Sequence, residues 1–335
     1  MPQTVLLTGG AGYIGSHTYV ALAEAGYRPV ILDSFVNARD DVPERLARLT
    51  GAPVSCHRAD IRDATALHRV FAAERIDAVI HFAALKSVGE SVARPLDYTE
   101  TNIGGLMTLL RVMGEAGLHR LVFSSSATVY GAPQTLPIPE TAPVGHTNPY
   151  GFTKLTCEQI LQQLAASDPR WCFGILRYFN PAGAHHSALL GEDPRDTPNN
   201  LMPYLARVAT GELPALQVFG DDYDTPDGTG LRDYIHVEDL ARGHVLSLGA
   251  LLEQGAGHLV NLGTGQGYSV LEVLRAYSRA CGRDLPHVIA PRRPGDVAAC
   301  YADPSRAADF LGFRACRTLD EMCASSWAWI SAART

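Results

Sequence analysis

No stretch of this 335-residue chain approaches the ~18 consecutive apolar residues that a membrane-spanning helix needs. Runs of basic residues are also missing, and the formal net charge is −7. Without a cationic face to neutralise phosphates, nucleic acid and anionic membrane are poor partners. An acidic chain can still take an anionic small molecule where Arg, Lys or backbone N–H groups gather locally. The seven cysteines form no CxxC pair. That argues against a disulfide framework or zinc site and for reduced thiols, so the expectation is a cytoplasmic protein with no bound metal. His185-His186, the only adjacent histidine pair, lies in loop-like sequence without nearby cysteine and reads as solvated rather than metal-binding. Repeats and low-complexity tracts are lacking, as are a basic n-region and small-residue cleavage site ahead of the first strand-like run.

What is present is globular. Hydrophobic residues make up 46% of the chain, enough for a large core and about two domains. The stretch from Thr4 to Gly15 organises the rest. Val5, Leu6 and Leu7 suit a strand buried on both faces, Gly9, Gly12 and Gly15 follow at a spacing of three, and 17–25 has helical spacing up to Gly26. Strand, glycine turn and helix form a phosphate-binding start: the turn needs residues without Cβ, the backbone must approach a pyrophosphate closely, and the helix N-terminus offers N–H groups. A second apolar run, 29–32, ends in Asp33, placed to hydrogen-bond both hydroxyls of an adenosine ribose.

Strand and helix signals then alternate. Strands are expected at 54–57, 78–82, 121–123 and 173–176, and helices at 63–73, 97–116 and 150–166. This alternation predicts an α/β fold, a Rossmann-type doubly wound parallel sheet with ligands along the C-terminal strand edge. After about residue 178 the pattern loosens, which predicts a smaller C-terminal α/β substrate domain. The expected division is 1–178 for the dinucleotide domain and 179–335 for the substrate domain. A return to the first sheet is expected over about 234–263, with 234–248 read as helix and 258–263 as strand.

Tyr150 and Lys154 stand four apart at the start of an expected helix, so their side chains share a face. A nearby ammonium, together with the positive charge of an oxidised nicotinamide, favours a phenolate and makes Tyr150 a base at neutral pH. Ser126, at a neighbouring strand end, is placed to hold or relay a proton.

Three stretches carry a resemblance: Thr8-Gly9-Gly10-Ala11-Gly12-Tyr13-Ile14-Gly15, Ser124-Ser125-Ser126-Ala127-Thr128-Val129-Tyr130-Gly131 and Tyr150-Gly151-Phe152-Thr153-Lys154. They resemble extended short-chain dehydrogenase/reductases and, more narrowly, the UDP-glucose 4-epimerases. Arg177-Tyr178-Phe179-Asn180-Pro181, Pro198 to Tyr204 and Gly230 to His236 extend the match over nearly the whole chain. The resemblance implies a UDP-hexose substrate, tightly held NAD and a homodimer paired through the helices at 97–116 and 150–166. It also implies a reaction: Tyr150 takes the proton of the sugar 4-hydroxyl, C4 gives its hydride to NAD, and the ketone turns and is reduced on its other face.

Residues implied to contact NAD, besides Gly9, Gly12, Gly15, Tyr150 and Lys154, are Tyr13, Ile14, Asp33, Asn37, Asp60, Ile61, Phe82, Ala83, Ala84, Lys86, Asn102 and Phe179. Those implied to hold the UDP-sugar are Lys86, Ser126, Tyr150, Asn180, Asn200, Leu201, Gln217, Phe219, Arg232, Arg293, Asp296 and Cys300. The arginines suit a diphosphate and Phe219 a uracil ring. Ser34, Ala38 and Thr101 depart from the common bacterial pattern, and Arg39 lies near enough to Asp33 to bear on the choice of NAD over NADP. Cys300 matches a position beside the hexose where a small residue in place of Tyr leaves room for a 2-acetamido group. That leads to the expectation that UDP-GlcNAc and UDP-GalNAc are also interconverted, unless a register shift of one residue puts Tyr301 there. A 4,6-dehydratase would need an extra acid and base where Ala127 and Thr128 stand. A non-catalytic NAD-binding regulatory protein would not need Tyr150, Lys154 and Ser126 together.

Overall fold

The computed structural model describes residues 2–194, 198, 200–293 and 295–332. The first half runs β1 (Thr4–Thr8), α1 (Tyr13–Glu24), β2 (Arg28–Asp33), α2 (Val42–Thr50), β3 (Ser55–Arg58), α3 (Ala64–Ala73), β4 (Ala78–His81), α4 (Val88–Ala93) and α5 (Pro95–Tyr98). A π-helical segment (Thr99–Gly104) joins α5 to α6 (Gly105–Glu115). Then come β5 (Arg120–Ser126), α7 (Pro149–Ser167) and β6 (Cys172–Tyr178). The remainder runs β7 (Asn180–Ala182), α8 (Leu201–Ala209), β8 (Leu216–Phe219), β9 (Leu231–His236), α9 (Val237–Glu253), β10 (His258–Leu262), β11 (Gly267–Ser269), α10 (Val270–Cys281), β12 (His287–Ala290), β13 (Ala299–Cys300), α11 (Ser305–Leu311) and α12 (Leu319–Ala332).

Seven parallel strands form the main sheet in the order β10-β6-β5-β4-β1-β2-β3. Alternation along each strand fills both faces. Val5, Leu7, Ile31, Ile80, Val122 and Leu176 pack on one side, and Leu6, Val30, Leu32, Val79, Leu121 and Phe123 on the other. Burial on both faces explains why these strands read as continuous apolar runs. The strand order reverses between β1 and β4, and the crevice at such a switch point is where ligands of doubly wound sheets bind. Here Thr8 pairs with His81, and its hydroxyl lies 2.7 Å from His81 Nδ1.

The second half builds a four-stranded sheet around β9, with β7, β11 and β13 pairing to it, and a parallel pair, β8 and β12, packed with α8, α10 and α12. Asp233 on β9 joins this unit to the main sheet. Its buried carboxylate accepts from Thr264 N (2.9 Å) and Oγ1 (2.7 Å), Gly265 N (3.0 Å) and Ala302 N (3.1 Å). The stretch 234–236, read from sequence as the start of a helix, is instead the end of β9; the chain rejoins the main sheet's layer with α9 and adds β10 beside β6. The helix expected over 97–116 is continuous but changes pitch through the π-helical segment, which carries Asn102 inward. No helix among the described residues is long and apolar enough to cross a membrane.

Candidate active site

The glycine turn is shaped by close approach. Gly9 has φ +70°, and a Cβ there would lie 2.7 Å from Ala83 N, where the chain leaving β4 crosses the turn. A Cβ on Gly15 would lie 2.5 Å from the Gly9 carbonyl oxygen. Helix α1 begins without a side-chain cap and without an acidic residue in its first turn. That start leaves N–H groups and positive dipole for an anion. Asp33, at the end of β2, accepts from Ala11 N (3.0 Å) and Phe35 N (2.8 Å). Burial raises its carboxyl, and the backbone N–H groups oppose that. The cradle and the acid beside it fit a dinucleotide by their own geometry.

Other expected cofactor residues line the same edge. Phe82 and Ala83 donate from their backbone N–H groups to Thr8 O, at 2.9 and 3.0 Å, and Ala84 continues the half-buried segment. Tyr13 donates to Gly183 O (2.6 Å), and Ile14 packs under the sheet. Asp60 is held by Arg62, Ile61 is buried against Gly105, Asn37 is exposed and Phe179 is buried. The Asn102 amide is engaged within the protein. Its oxygen accepts from Leu85 N (2.8 Å) and its nitrogen donates to Leu85 O (3.0 Å) and Thr153 Oγ1 (2.9 Å), so it positions the 82–86 segment. Arg39 is held by Asp193 at 2.9 Å and Asp41 at 3.6 Å.

Asn148 caps α7, its Oδ1 accepting from Gly151 N at 2.9 Å, and Pro149 occupies the first turn. That start sets Tyr150 at the helix mouth and Lys154 one turn in. Both are buried. The expected ammonium–phenol pairing is not what the geometry gives. Lys154 Nζ donates to Ser124 O (2.7 Å) and lies 6.0 Å from the Tyr150 ring centroid. Burial pushes the Tyr150 phenol up to about 12, partly offset by the Ser126 hydroxyl, and lowers Lys154 to about 8. In this state Tyr150 is a protonated acid, not a base, because desolvation outweighs a cation whose hydrogen bond goes elsewhere. Ser126 Oγ accepts from Thr128 N (3.2 Å) and Thr128 Oγ1 (3.0 Å).

The expected sugar-nucleotide residues gather in two groups. In the first, Arg293 stacks 4.8 Å from the Phe219 ring centroid and its Nε donates to Asp296 Oδ2 (2.9 Å). Arg232 donates to Val297 O (2.9 Å), with Nη2 4.0 Å from Asp296 Oδ1. Gln217, exposed on β8, shares the strand face of Phe219. Cys300 pairs in register with Arg232 and packs with Val129, Tyr130 and Phe179; Tyr301 lies instead against Gly267. Burial pushes the Cys300 thiol up to about 11, so it is a neutral wall, not a nucleophile. In the second group, Lys86 Nζ and Asn200 Nδ2 both donate to Glu192 Oε1, at 3.1 and 2.7 Å. Leu201 begins α8 beside Asn200, and Asn180 opens β7 opposite Tyr234.

Sequence reasoning did not nominate Tyr178, Glu192 or Glu158. Tyr178 stands in register with Ser126, and its phenol is raised by burial and by Tyr150. The alternation of 177–181 carries no sign that the Tyr178 phenol lies near enough to Tyr150 to feel it. Glu158 is one turn beyond Lys154 and accepts from Arg177 Nε (3.0 Å) and Nη2 (2.6 Å) as well as from Ser125. The Tyr150–Lys154–Glu158 spacing of four was its available signal. His185, read as solvated, is buried against Glu238, while His186 is exposed.

A family described as the NAD dependent epimerase/dehydratase family matches residues 5–263. A UDP-glucose 4-epimerase of Yersinia pestis is 54% identical over 328 residues, covering 98% of this chain and 97% of the relative. The crystal structure of UDP-glucose-4-epimerase from Stenotrophomonas maltophila with bound NAD and formylated UDP-arabinopyranose is 52% identical, covers 99% of each chain and superposes with a TM-score of 0.97. The UDP-Glc/GlcNAc 4-epimerase of Campylobacter jejuni is 35% identical, with a TM-score of 0.86 over 98% of this chain and 99% of that one.

Proposed function

The chain belongs to the NAD dependent epimerase/dehydratase family, and from that premise we propose that it interconverts UDP-glucose and UDP-galactose. The observation that carries the reading is the meeting of Tyr150, Ser126 and Lys154 at the strand edge that also bears the uncapped glycine cradle and Asp33. Bound NAD would supply a two-electron acceptor that takes a hydride from C4 of the sugar and returns it. Gly9, Gly12, Gly15, Tyr13, Ile14 and Asp33 would hold it, with Asn37, Asp60, Ile61, Phe82, Ala83, Ala84, Lys86 and Phe179 along its length. The engagement of Arg39 with Asp193 and Asp41 favours NAD over its 2′-phosphorylated form.

Tyr150 takes the 4-hydroxyl proton, with Ser126 holding the same oxygen, and returns it after the ketone has turned. Phenolate formation needs a positive charge beyond Lys154, since burial holds the phenol near 12. Lys154, anchored on Ser124 O, steadies the base and a ribose hydroxyl. Arg232 and Arg293 neutralise the diphosphate, Phe219 packs on the uracil, and Asp296 fixes both guanidiniums. Asn180, Asn200, Leu201 and Gln217 complete the sugar-nucleotide cleft. Ala127 has no proton to transfer, and Thr128 donates to Ser126, which leaves no second acid for dehydration.

We further propose that UDP-GlcNAc and UDP-GalNAc are substrates, because Cys300, not Tyr301, shares the face of Arg232. Residues 1–178 with the 234–263 return would then serve the cofactor, and the remainder the UDP-sugar. A homodimer is favoured by apolar side chains exposed on α4 to α7: Val88, Val92, Leu96, Met107 and Phe152. Light scattering giving a monomer at micromolar concentration would contradict it. The seven cysteines are unpaired, as suits the cytoplasm.

The test is to incubate the purified protein separately with UDP-galactose and UDP-GalNAc and resolve the products. Conversion of both, abolished by Tyr150→Phe, supports the reading. No conversion of UDP-galactose overturns it, and failure with UDP-GalNAc alone removes only the wider specificity.

A further inference from the structure

Just beyond Gly183, whose carbonyl accepts from Tyr13, three side chains converge that no step above uses. After β7 the chain enters His185-His186-Ser187, and Glu238 lies in the first turn of α9. Glu238 Oε1 is 2.9 Å from His186 Nδ1 and 3.7 Å from His185 Nε2. The ligand-capable atoms of all three lie within 4.8 Å of one another. We propose that His185, His186 and Glu238 bind one divalent transition-metal ion of borderline softness, such as Zn2+ or Ni2+, with water completing its shell.

The donor set and spacing support this independently of the sugar-nucleotide reading. Two imidazoles and one carboxylate suit Zn2+ or Ni2+ and not the all-oxygen shells of Ca2+ or Mg2+. With metal–ligand bonds of about 2.0–2.2 Å, neighbouring ligand atoms around a tetrahedral ion are about 3.3–3.6 Å apart. The two distances to Oε1 bracket that spacing, and His186, being exposed, has room to adjust.

Outer contacts favour the arrangement. His185 Nδ1 lies 2.7 Å from Ser187 Oγ; donating its proton there would turn the Nε2 lone pair toward the ion. That tautomer gives up the longer bond from Ser187 N at 3.2 Å. Arg317 holds the other carboxylate oxygen, Oε2, and so aims Oε1 at the histidines. Its positive charge opposes a second cation nearby, so micromolar affinity is expected rather than nanomolar. His17, fully buried behind the pair, has an Nε2 without a hydrogen-bond partner, and its ring centroid is 6.1 Å from that of His185. An ion here would tie the loop that holds Tyr13 to the start of α9.

A plain His186–Glu238 ion pair uses the same oxygen and predicts no response to metal. The experiment takes the full chain after chelator treatment and dialysis, and titrates it with Zn2+ by calorimetry and with Co2+ by visible absorption. Expected are one equivalent of saturable binding, a d–d band of protein-bound Co2+ and a higher melting temperature with Zn2+. His186→Ala, at an exposed position, and Glu238→Gln should each weaken binding about tenfold or more. Absence of saturable binding in the micromolar range, or binding that His186→Ala leaves unchanged while the variant stays folded, overturns the proposal.

Discussion

Glu158→Gln removes one charge from a pair whose side chains are 1% and 4% exposed. In the native site the carboxylate takes the Ser125 hydroxyl, Arg177 Nε at 3.0 Å and Arg177 Nη2 at 2.6 Å. Glutamine keeps the shape but leaves the Arg177 guanidinium buried without a counter-charge. Breaking a buried pair from one side costs about 3–5 kcal/mol. At about 1.36 kcal/mol per power of ten, the unfolding constant should rise by roughly two to four powers of ten. Arg177→Met should cost a similar amount by stranding the carboxylate. The double variant Glu158→Leu/Arg177→Met, with neither charge, should recover most of the loss, because apolar replacements of buried pairs are often neutral. Urea unfolding of the four proteins closes the cycle. Ser125 lies between Ser124, which anchors Lys154, and Ser126, so Glu158→Gln should also lower kcat with KM for UDP-galactose little changed. A cost below about 1 kcal/mol for the single variant, or a double variant as unstable as the summed singles, would refute the reasoning.

Gly15→Ala should abolish retention of NAD through gel filtration, since its Cβ would press within 2.5 Å of the Gly9 carbonyl oxygen; cofactor absorbance of the eluted protein checks this. Asp233→Asn can accept at one position only, and should cost about 2–4 kcal/mol in denaturant because four donors converge on the carboxylate. Cys300→Tyr should keep UDP-galactose conversion and suppress that of UDP-GalNAc, measured by product separation. Lys154 has its ammonium lowered by burial from 10.5 to about 8, so the folded state sheds that proton more readily than the unfolded chain. The penalty, about 3 kcal/mol, is complete below pH 8 and fades as pH rises to the ordinary lysine value. Lys154→Met should therefore be inactive yet more stable than the parent at pH 7, with the advantage gone above about pH 10.5 in pH-resolved urea melts.

The parallel sheet and its glycine turn were legible because both faces of each strand are apolar and because close backbone approach excludes Cβ at Gly9 and Gly15. Tyr150 and Lys154 were legible as a pair on one helix face, but not the direction of Lys154 Nζ, which depends on a strand-end carbonyl 30 residues earlier. Asn102 read as a cofactor amide; a change of helical pitch, invisible in residue pattern, turns it onto the Leu85 backbone. Tyr234 read as helix because the stretch from Tyr234 to Leu248 reads as one helical pattern, whereas pairing of 234–236 with 180–182 draws its first three residues into a strand. His185 read as solvated because loop composition says nothing of a glutamate more than fifty residues downstream. For Lys154, Asn102 and His185 the local pattern left the side chain's partner unspecified, and for Tyr234 a distant pairing specified the element itself.

The opposed shifts of Tyr150 and Lys154 bear on how such a site avoids idle chemistry. Burial raises the phenol and lowers the ammonium, so each charged form is disfavoured unless an opposite charge stands close. On the proposed reading, Tyr150 becomes an effective base only beside the positive ring of oxidised NAD. With that positive charge gone, nothing close by would favour the phenolate, and Tyr150 would hold its proton as a neutral phenol until the charge returned. With the proton going to Tyr150 and the hydride to the nicotinamide, the phenolate and the positive ring would be neutralised together, so the net charge of the loaded site as a whole would stay the same as the ketone forms. A buried, poorly solvated pair suits that constancy, since low dielectric penalises any step that would leave a net charge uncompensated in the site. The same burial that makes Lys154 a cost to the fold ties the basicity of Tyr150 to an oxidant, and both would weaken if water entered through a loosened Ser124–Ser126 edge.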